Sequence, residues 1–322
     1  MDVQALTAGV LAPLTPADLV PPPRFQSKRF EGYRTDPAIT GQIEAVTAVR
    51  RFAVHREPLL GRIFGRRGKA GLYLDGGFGV GKTHLLAACH HAAPGSKRFL
   101  SFAEAMSLMT ILGHRAAIDL LRADLVCLDE FELDDPTNTR LADLLVRGLI
   151  ERGCRIITTS NTVPGELGQG RMAVDLFRNE LARIESAFTD IHVPGQDFRL
   201  AISAGGPPRG WGPTVEDLPP DEGVLILGAQ AFDRLLSGIP VVNLRRLAAR
   251  LRGVSLTDLA PFDSAHAALR FVHAIDRCYD FQVPVRIRTD TAIDELFAHE
   301  ALPTAFVKKY RRCRSRLAEL AA

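Results

Sequence analysis

No two cysteines in this chain stand at CxxC spacing, and the five present (Cys89, Cys127, Cys154, Cys278 and Cys313) are odd in number and scattered. That argues against a disulfide framework or a zinc site and fits reduced thiols in a cytoplasm. No apolar run approaches the ~18 residues of a membrane span, so no integral membrane segment is expected. No basic residue precedes Arg24, and an acid stands at Asp2. Neither a secretory signal nor a transit peptide is therefore expected. No large excess of either charge exists: 40 Lys and Arg face 37 Asp and Glu, a net charge of +3. That is too little to imply nucleic acid on its own. No internal repeat is found.

What is present is ordinary in bulk and specific in detail. Hydrophobic residues make up 46% and charged residues 24% of 322 residues. A soluble globular protein has this composition, and the length suggests two domains. Residues 1–30 read as an N-terminal tail, broken at "VPPPR" by three prolines. A helix is expected at about 37–55, with Ile43, Val46, Val49 and Phe52 as its apolar face. From 71 to 193, short apolar runs alternate with helical stretches. The runs are Gly71–Asp75, Arg98–Phe102, Leu125–Asp129, Arg155–Ser160 and Asp190–Val193. The clearest helix is "DPTNTRLADLLVRGLIERG", with Asp135 as N-cap, Pro136 at its first position and Gly153 as its stop. Its expected buried stripe is Leu141, Leu144, Leu145 and Leu149. This alternation means βαβ units and a parallel sheet between helices. The Gly/Pro-rich "SAGGPPRGWGPT" marks a boundary. The expected domains are a core over 31–205 and a smaller, helix-rich C-terminal domain over 206–322, with strand-like pieces such as "VPVRIRT".

The stretch "GLYLDGGFGVGKTHLL" packs four glycines into six positions ahead of a Lys-Thr pair. Gly76, Gly81, Lys82 and Thr83 fit the phosphate-binding loop GxxxxGK(S/T), between a strand and a helix as that loop requires. Glycines allow positive φ and let backbone N–H groups approach phosphate oxygens. Gly76, Gly77, Phe78, Gly79, Val80, Gly81, Lys82, Thr83 and His84 are thus the expected nucleotide-binding residues. Lys82 should reach the β- and γ-phosphates, and Thr83 should hold Mg²⁺. A second acid is needed for the metal. In "DLVCLDEFELDD" an apolar strand runs into Asp129, the expected second metal ligand, and Glu130, the expected general base. Glu132, Asp134 and Asp135 read as a solvated acidic turn. "RIITTSN" ends in Ser160 and Asn161, whose amide could orient the attacking water or simply end the strand.

These three elements in this order, with a smaller C-terminal domain, look like an AAA+ ATPase. "LVPPPRF…FEGYRTDPA", "DEFELDDPTNTRL", "TTSNTVPGEL", "QDFRL" and "ALRFVHAIDRCYDFQVPV" resemble the ZapE family of bacterial cell-division ATPases, which has mitochondrial relatives. The resemblance covers roughly residues 20–320, strongly through the core and more weakly over 201–260. It implies ATP hydrolysis with Mg²⁺, a homo-oligomer with sites between subunits, and action in the cytoplasm on a tubulin-like filament at the division ring. AAA+ proteins complete the site with an arginine from the neighbouring subunit. Arg171, ahead of Met172, matches the family pattern, and Arg178 and Arg183 are further candidates. A second arginine comes from the C-terminal domain. Arg270 matches it and lies off the apolar face of Ala265, Ala268, Leu269, Val272 and Ile275, at phosphate or at solvent.

Other features carry plainer readings. His84, His90 and His91 lack ligand spacing, so no metal is expected on them. "FVKKYRRCRSRLAEL" reads as an amphipathic helix packed through Phe306, Tyr310, Cys313, Leu317 and Leu320. Its six Lys or Arg form a solvated face. The alternative function is a helicase-loader-like replication ATPase that binds DNA in an ATP-gated way, suggested by the "GKTHLL" run. Near-neutral charge and the lack of a recognition helix weigh against it, so nucleic acid is not an expected partner. A nucleotide-bound scaffold without turnover is a third reading, against which Glu130 argues.

Overall fold

The computed structural model describes residues 9–54, 69–133, 136–163, 177–195, 209–300 and 302–321. These fall into two compact units, one within 15–21 and 25–198 and the other within 1–14, 22–24 and 199–322.

The first unit is built on five parallel strands. In chain order its elements are α1 (Gln42–Val54), β1 (Gly71–Asp75), α2 (Lys82–Ala92), β2 (Lys97–Ser101), α3 (Phe102–Leu112) and α4 (His114–Leu121). There follow β3 (Leu125–Asp129), α5 (Pro136–Glu151), β4 (Arg155–Thr159), α6 (Arg178–Ala187) and β5 (Phe188–His192). The strand order is β2-β3-β4-β1-β5, all parallel. Right-handed crossovers then put α2 on one face and the helices that follow β2, β3 and β4 on the other. Helices on both faces explain why β1 and β3 are buried at every position. Leu72 and Leu74 join the α2 side of the core. Tyr73, between them, faces the other way and meets Phe131 and Phe188 edge-on.

The order matters more than the strands themselves. β4 lies between β1 and β3, so the residues just past β4 stand between the loop after β1 and the acids after β3. The register sets Leu74 beside Thr159 and Leu128 beside Thr158.

Local differences from expectation have physical causes. α1 buries Gln42, Ala45, Val49 and Ala53, while Ile43 is 53% exposed. A run spaced 3-3-3 drifts off a 3.6-residue period, and the 3-4-4 set stays on one face. α5 starts at Pro136 as expected, and Gly153 supplies the left-handed stop at φ +82°. Its inward stripe runs through Ala142, Leu145, Val146 and Leu149, with Leu141 and Leu144 half-buried. The expected N-terminal tail is part of the fold: Val10 and Leu19 are fully buried, in the second and first units respectively.

The second unit is helix-rich and has its own sheet. Its elements are β6 (Val224–Gly228), α7 (Ala229–Ser237), α8 (Leu244–Arg250), β7 (Gly253–Thr257), α9 (Ala265–Phe281), β8 (Val285–Arg288) and α10 (Val307–Leu320). The three strands are parallel in the order β6-β7-β8. "VPVRIRT" becomes β8.

α10 packs through Tyr310, Cys313 and Leu317 as its spacing requires. Its basic face is not wholly solvated. Arg312 and Arg316, next to the inward stripe, are buried and both pair with Asp276 of α9, Arg312 at 2.8 Å. Burial pushes the Asp276 carboxyl up, and the two guanidiniums beside it more than reverse this and hold it below the usual carboxylate range. A lowered folded pKa contributes stability that is whole at neutral pH and is lost as pH falls from the usual carboxylate range down through the lowered folded pKa. Asp276→Asn should cost about 3–5 kcal/mol, because two buried cations lose a shared counter-charge. The single tryptophan, Trp211, sits in this unit's core. Its fluorescence during urea unfolding reports the loss, and an unchanged midpoint would show that the ion cluster adds no stability.

Candidate functional site

The loop after β1 is gripped from two sides. Gly76 has φ +150°, and a Cβ there would stand 2.4 Å from the Val193 carbonyl oxygen. Gly81 has φ +92°, and its Cβ would stand 2.7 Å from the Tyr33 ring. Neither place admits a side chain, so the loop is a backbone-lined cradle. The Tyr33 hydroxyl donates to the Val80 carbonyl at 2.7 Å and fixes the loop's far end. Burial raises the Tyr33 pKa, so this hydroxyl keeps its proton. α2 begins at Lys82 behind Gly81, which offers its first-turn N–H groups no side-chain cap. Such a helix start favours an anion.

Lys82 is buried, and its Nζ donates to the Gly76 oxygen at 2.9 Å, the Gly77 oxygen at 2.6 Å and Asn161 Oδ1 at 2.9 Å. The Thr83 hydroxyl donates to Asp129 Oδ1 at 3.1 Å. A hydroxyl and a carboxylate this close offer the sparse oxygen set that Mg²⁺ takes when phosphates and water complete its shell. A glycine cradle, an ammonium beside it and this oxygen pair fit a magnesium-bound nucleoside triphosphate.

The acidic end is shaped by Thr159, which the sequence reading did not single out. Its hydroxyl donates to Asp129 Oδ1 at 2.5 Å and accepts from the Glu130 N–H at 3.0 Å. Its carbonyl accepts from the Phe131 N–H at 2.7 Å. Glu130 has φ +58°. For a residue with a Cβ that conformation costs roughly 1–2 kcal/mol. It persists because Thr159 holds the backbone on both sides of it and Phe131 is fully buried against Phe102.

Asn161 stands in the turn after β4, which is tied to β1. The Ser160 N–H donates to the Leu74 oxygen, and the Tyr73 hydroxyl donates to the Thr162 oxygen. Asn161 Nδ2 donates to Glu132 Oε1 at 3.1 Å. Glu132, expected in a solvated turn, is 7% exposed, because Phe131 and Leu133 on either side of it are core residues. Asp134 and Asp135 lie outside the described residues.

The arginine candidates separate. Arg171 lies outside the described residues. Arg183 holds Asp143 of α5 with both arms, at 3.0 and 2.9 Å. Arg178 opens α6. The Arg270 fork holds Asp233 of α7 at 2.9 and 2.8 Å. The histidines of α2 lie against other parts of the first unit. His84 and His91 bond to the Arg29 and Phe25 carbonyl oxygens. His90 is buried among Phe99 and His91, and burial takes its pKa down to about 3.

The structure therefore brings Lys82, Thr83, Asp129 and Asn161 together, with Glu130 next in chain. It adds Tyr33, Thr159 and Glu132. Thr159 carried one usable signal, its place as the last residue of a strand that must lie beside β3. Thr159→Val keeps the shape and removes the hydroxyl. A loss of about 1–3 kcal/mol in stability is expected, with faster hydrogen exchange at the Glu130 amide. Thr159→Ser should keep most of the protection. Equal exchange in parent and valine variant would remove Thr159 as the clamp.

The family model described as AFG1-like ATPase matches residues 15–205 and 242–322. The cell division protein ZapE of Escherichia coli K12 is 29% identical over 160 residues, covering 44% of this chain and 43% of that protein. The chain thus spans less than half the length of the curated relatives it matches. Among solved structures, that of DnaI aligns with a TM-score of 0.44 and 22% identity, over 55% of this chain and 93% of that one. The DnaC helicase loader aligns with a TM-score of 0.39 and 18% identity, over 53% and 98%. The family match extends over most of the sequence, core and C-terminal part alike, and on it the chain belongs to the AFG1-like ATPase family.

Proposed function

We propose that this chain hydrolyses Mg-ATP and uses the reaction to remodel or regulate a protein assembly. The observation that carries the reading is the convergence, through β4, of Lys82 with Asn161 and of Thr83 with Asp129. Lys82 would leave the Gly76 and Gly77 carbonyls for the β- and γ-phosphate oxygens. Thr83 and Asp129 would hold Mg²⁺, which supplies charge neutralisation at those oxygens when bound. Asn161 orients a water in line with the γ-phosphorus. Glu130 takes the proton of that water as its oxygen bonds to phosphorus and the bond to the ADP oxygen breaks. The neighbouring subunit of a homo-oligomer would supply an arginine, with Arg171 first in line.

The name of the ZapE relative supports cell division as the setting, and within that setting the proposed partner is a tubulin-like filament in the cytoplasm. The DNA-binding alternative loses ground, because Arg312 and Arg316 of the basic α10 are buried against Asp276 rather than offered to a phosphate backbone.

Two substitutions test the site. Lys82→Ala should weaken ATP binding at least tenfold, about 1.4 kcal/mol, in a nucleotide titration. Unchanged affinity would remove the phosphate-loop role. Glu130→Gln keeps the shape of the side chain without a basic carboxylate. ATP should still bind while turnover drops roughly 10²-fold or more. Turnover at the parent rate would show that Glu130 is not the base. The parent protein should also pellet with the division filament only when ATP is present.

A further inference from the structure

We propose that Glu132 is a positioning residue for this site: its carboxylate sets the amide of Asn161 so that the amide oxygen faces Lys82. The inference rests on the ATPase reading for its consequence, but its geometry stands apart from it. Lys82 Nζ lies 2.9 Å from Asn161 Oδ1, and Asn161 Nδ2 lies 3.1 Å from Glu132 Oε1. An ammonium can only donate, and a carboxylate can only accept. An amide held between the two has one orientation that satisfies both. Turned over, it would set its amino group against the ammonium and its oxygen against the carboxylate. Two bonds to charged groups would be lost and two repulsions gained.

Glu132 is built for this task. It is almost fully buried, so water competes little for its oxygens. Phe131 and Leu133 anchor it on both sides, and the Phe131 N–H is held by the Thr159 carbonyl. Neither Lys82 nor the phosphate loop then has to hold Asn161. When Lys82 turns to phosphate, Glu132 still keeps the Asn161 amino group on its own side. The face of Asn161 turned toward the reacting water is therefore chosen by Glu132.

The test uses the full chain and has two arms. In the first, the side-chain amide pair of Asn161 is followed by NMR without nucleotide, identified by its loss in Asn161→Ala. Glu132→Ala should shift both amide protons and speed their hydrogen exchange. Glu132→Gln, whose amide oxygen still accepts, should preserve most of the parent signature and guards against a variant that fails to fold. An Asn161 pair unmoved by Glu132→Ala overturns the proposal. In the second arm, Glu132→Ala should lower kcat about tenfold while KM stays within about threefold, and Glu132→Gln should recover part of the loss. The double variant Glu132→Ala/Asn161→Ala should turn over no more slowly than Asn161→Ala alone. Losses that multiply would show Glu132 acting independently of Asn161 and overturn the proposal. A parent that shows no turnover defeats the ATPase reading instead, and the NMR arm still decides the role of Glu132.

Discussion

A single hydroxyl, that of Thr159, donates to the Asp129 carboxylate and accepts from the Glu130 N–H, so two neighbouring acids share one anchor. The anchor works because Thr159 ends a central strand. β4 is hydrogen-bonded to β1 on one side and β3 on the other, so its last residue cannot shift without disturbing two ladders. The left-handed turn at Glu130 is tolerable only against so rigid a neighbour. Phosphate loop, acid pair and polar turn are thus three ends of one sheet, and their separations are set by strand spacing rather than by flexible loops.

Much of this was legible in the sequence. The strand ends were expected within one residue, apart from the start of β5, because strands buried on both faces read as unbroken apolar runs. The loop from Gly76 to Thr83 was legible because glycine is the residue its backbone demands. Asp129 and Glu130 were legible as charges that abruptly end an apolar strand. Glu132 was not, because a run of acids reads as solvated and only tertiary packing sinks one of them between two core residues. Thr159 was not, because a threonine in a strand is ordinary and its partner lies thirty residues earlier. Arg270 was read as off the apolar face, which its half-buried state supports. Its bidentate partner, Asp233, lies on another helix and left no mark on local spacing.

The same limit shows in α10. Periodicity found the inward stripe of Tyr310, Cys313 and Leu317, and charge counting assigned the remaining arginines to water. Burial of Arg312 and Arg316 depends on an acid at Asp276, one helix away. A pattern within one helix can place an apolar residue, since that residue needs only the absence of water. Placing a buried charge needs knowledge of its counter-charge.

At the outer side of β2, the edge of the five-stranded sheet, the Phe99 N–H donates to the Leu19 carbonyl at 2.8 Å, and Leu19 itself is fully buried. The segment that reads as a loose leader is therefore a lid on a sticky margin. A shortened form that begins after Leu19 would present the apolar centre of β2 with an open donor to any extended chain nearby, and such margins invite sheet-to-sheet association. The proline-rich stretch that follows could offer carbonyls to the edge but no N–H groups, so Pro21, Pro22 and Pro23 cannot complete a ladder there. Solubility of the ATPase core is in this sense written into residues that lie outside any strand.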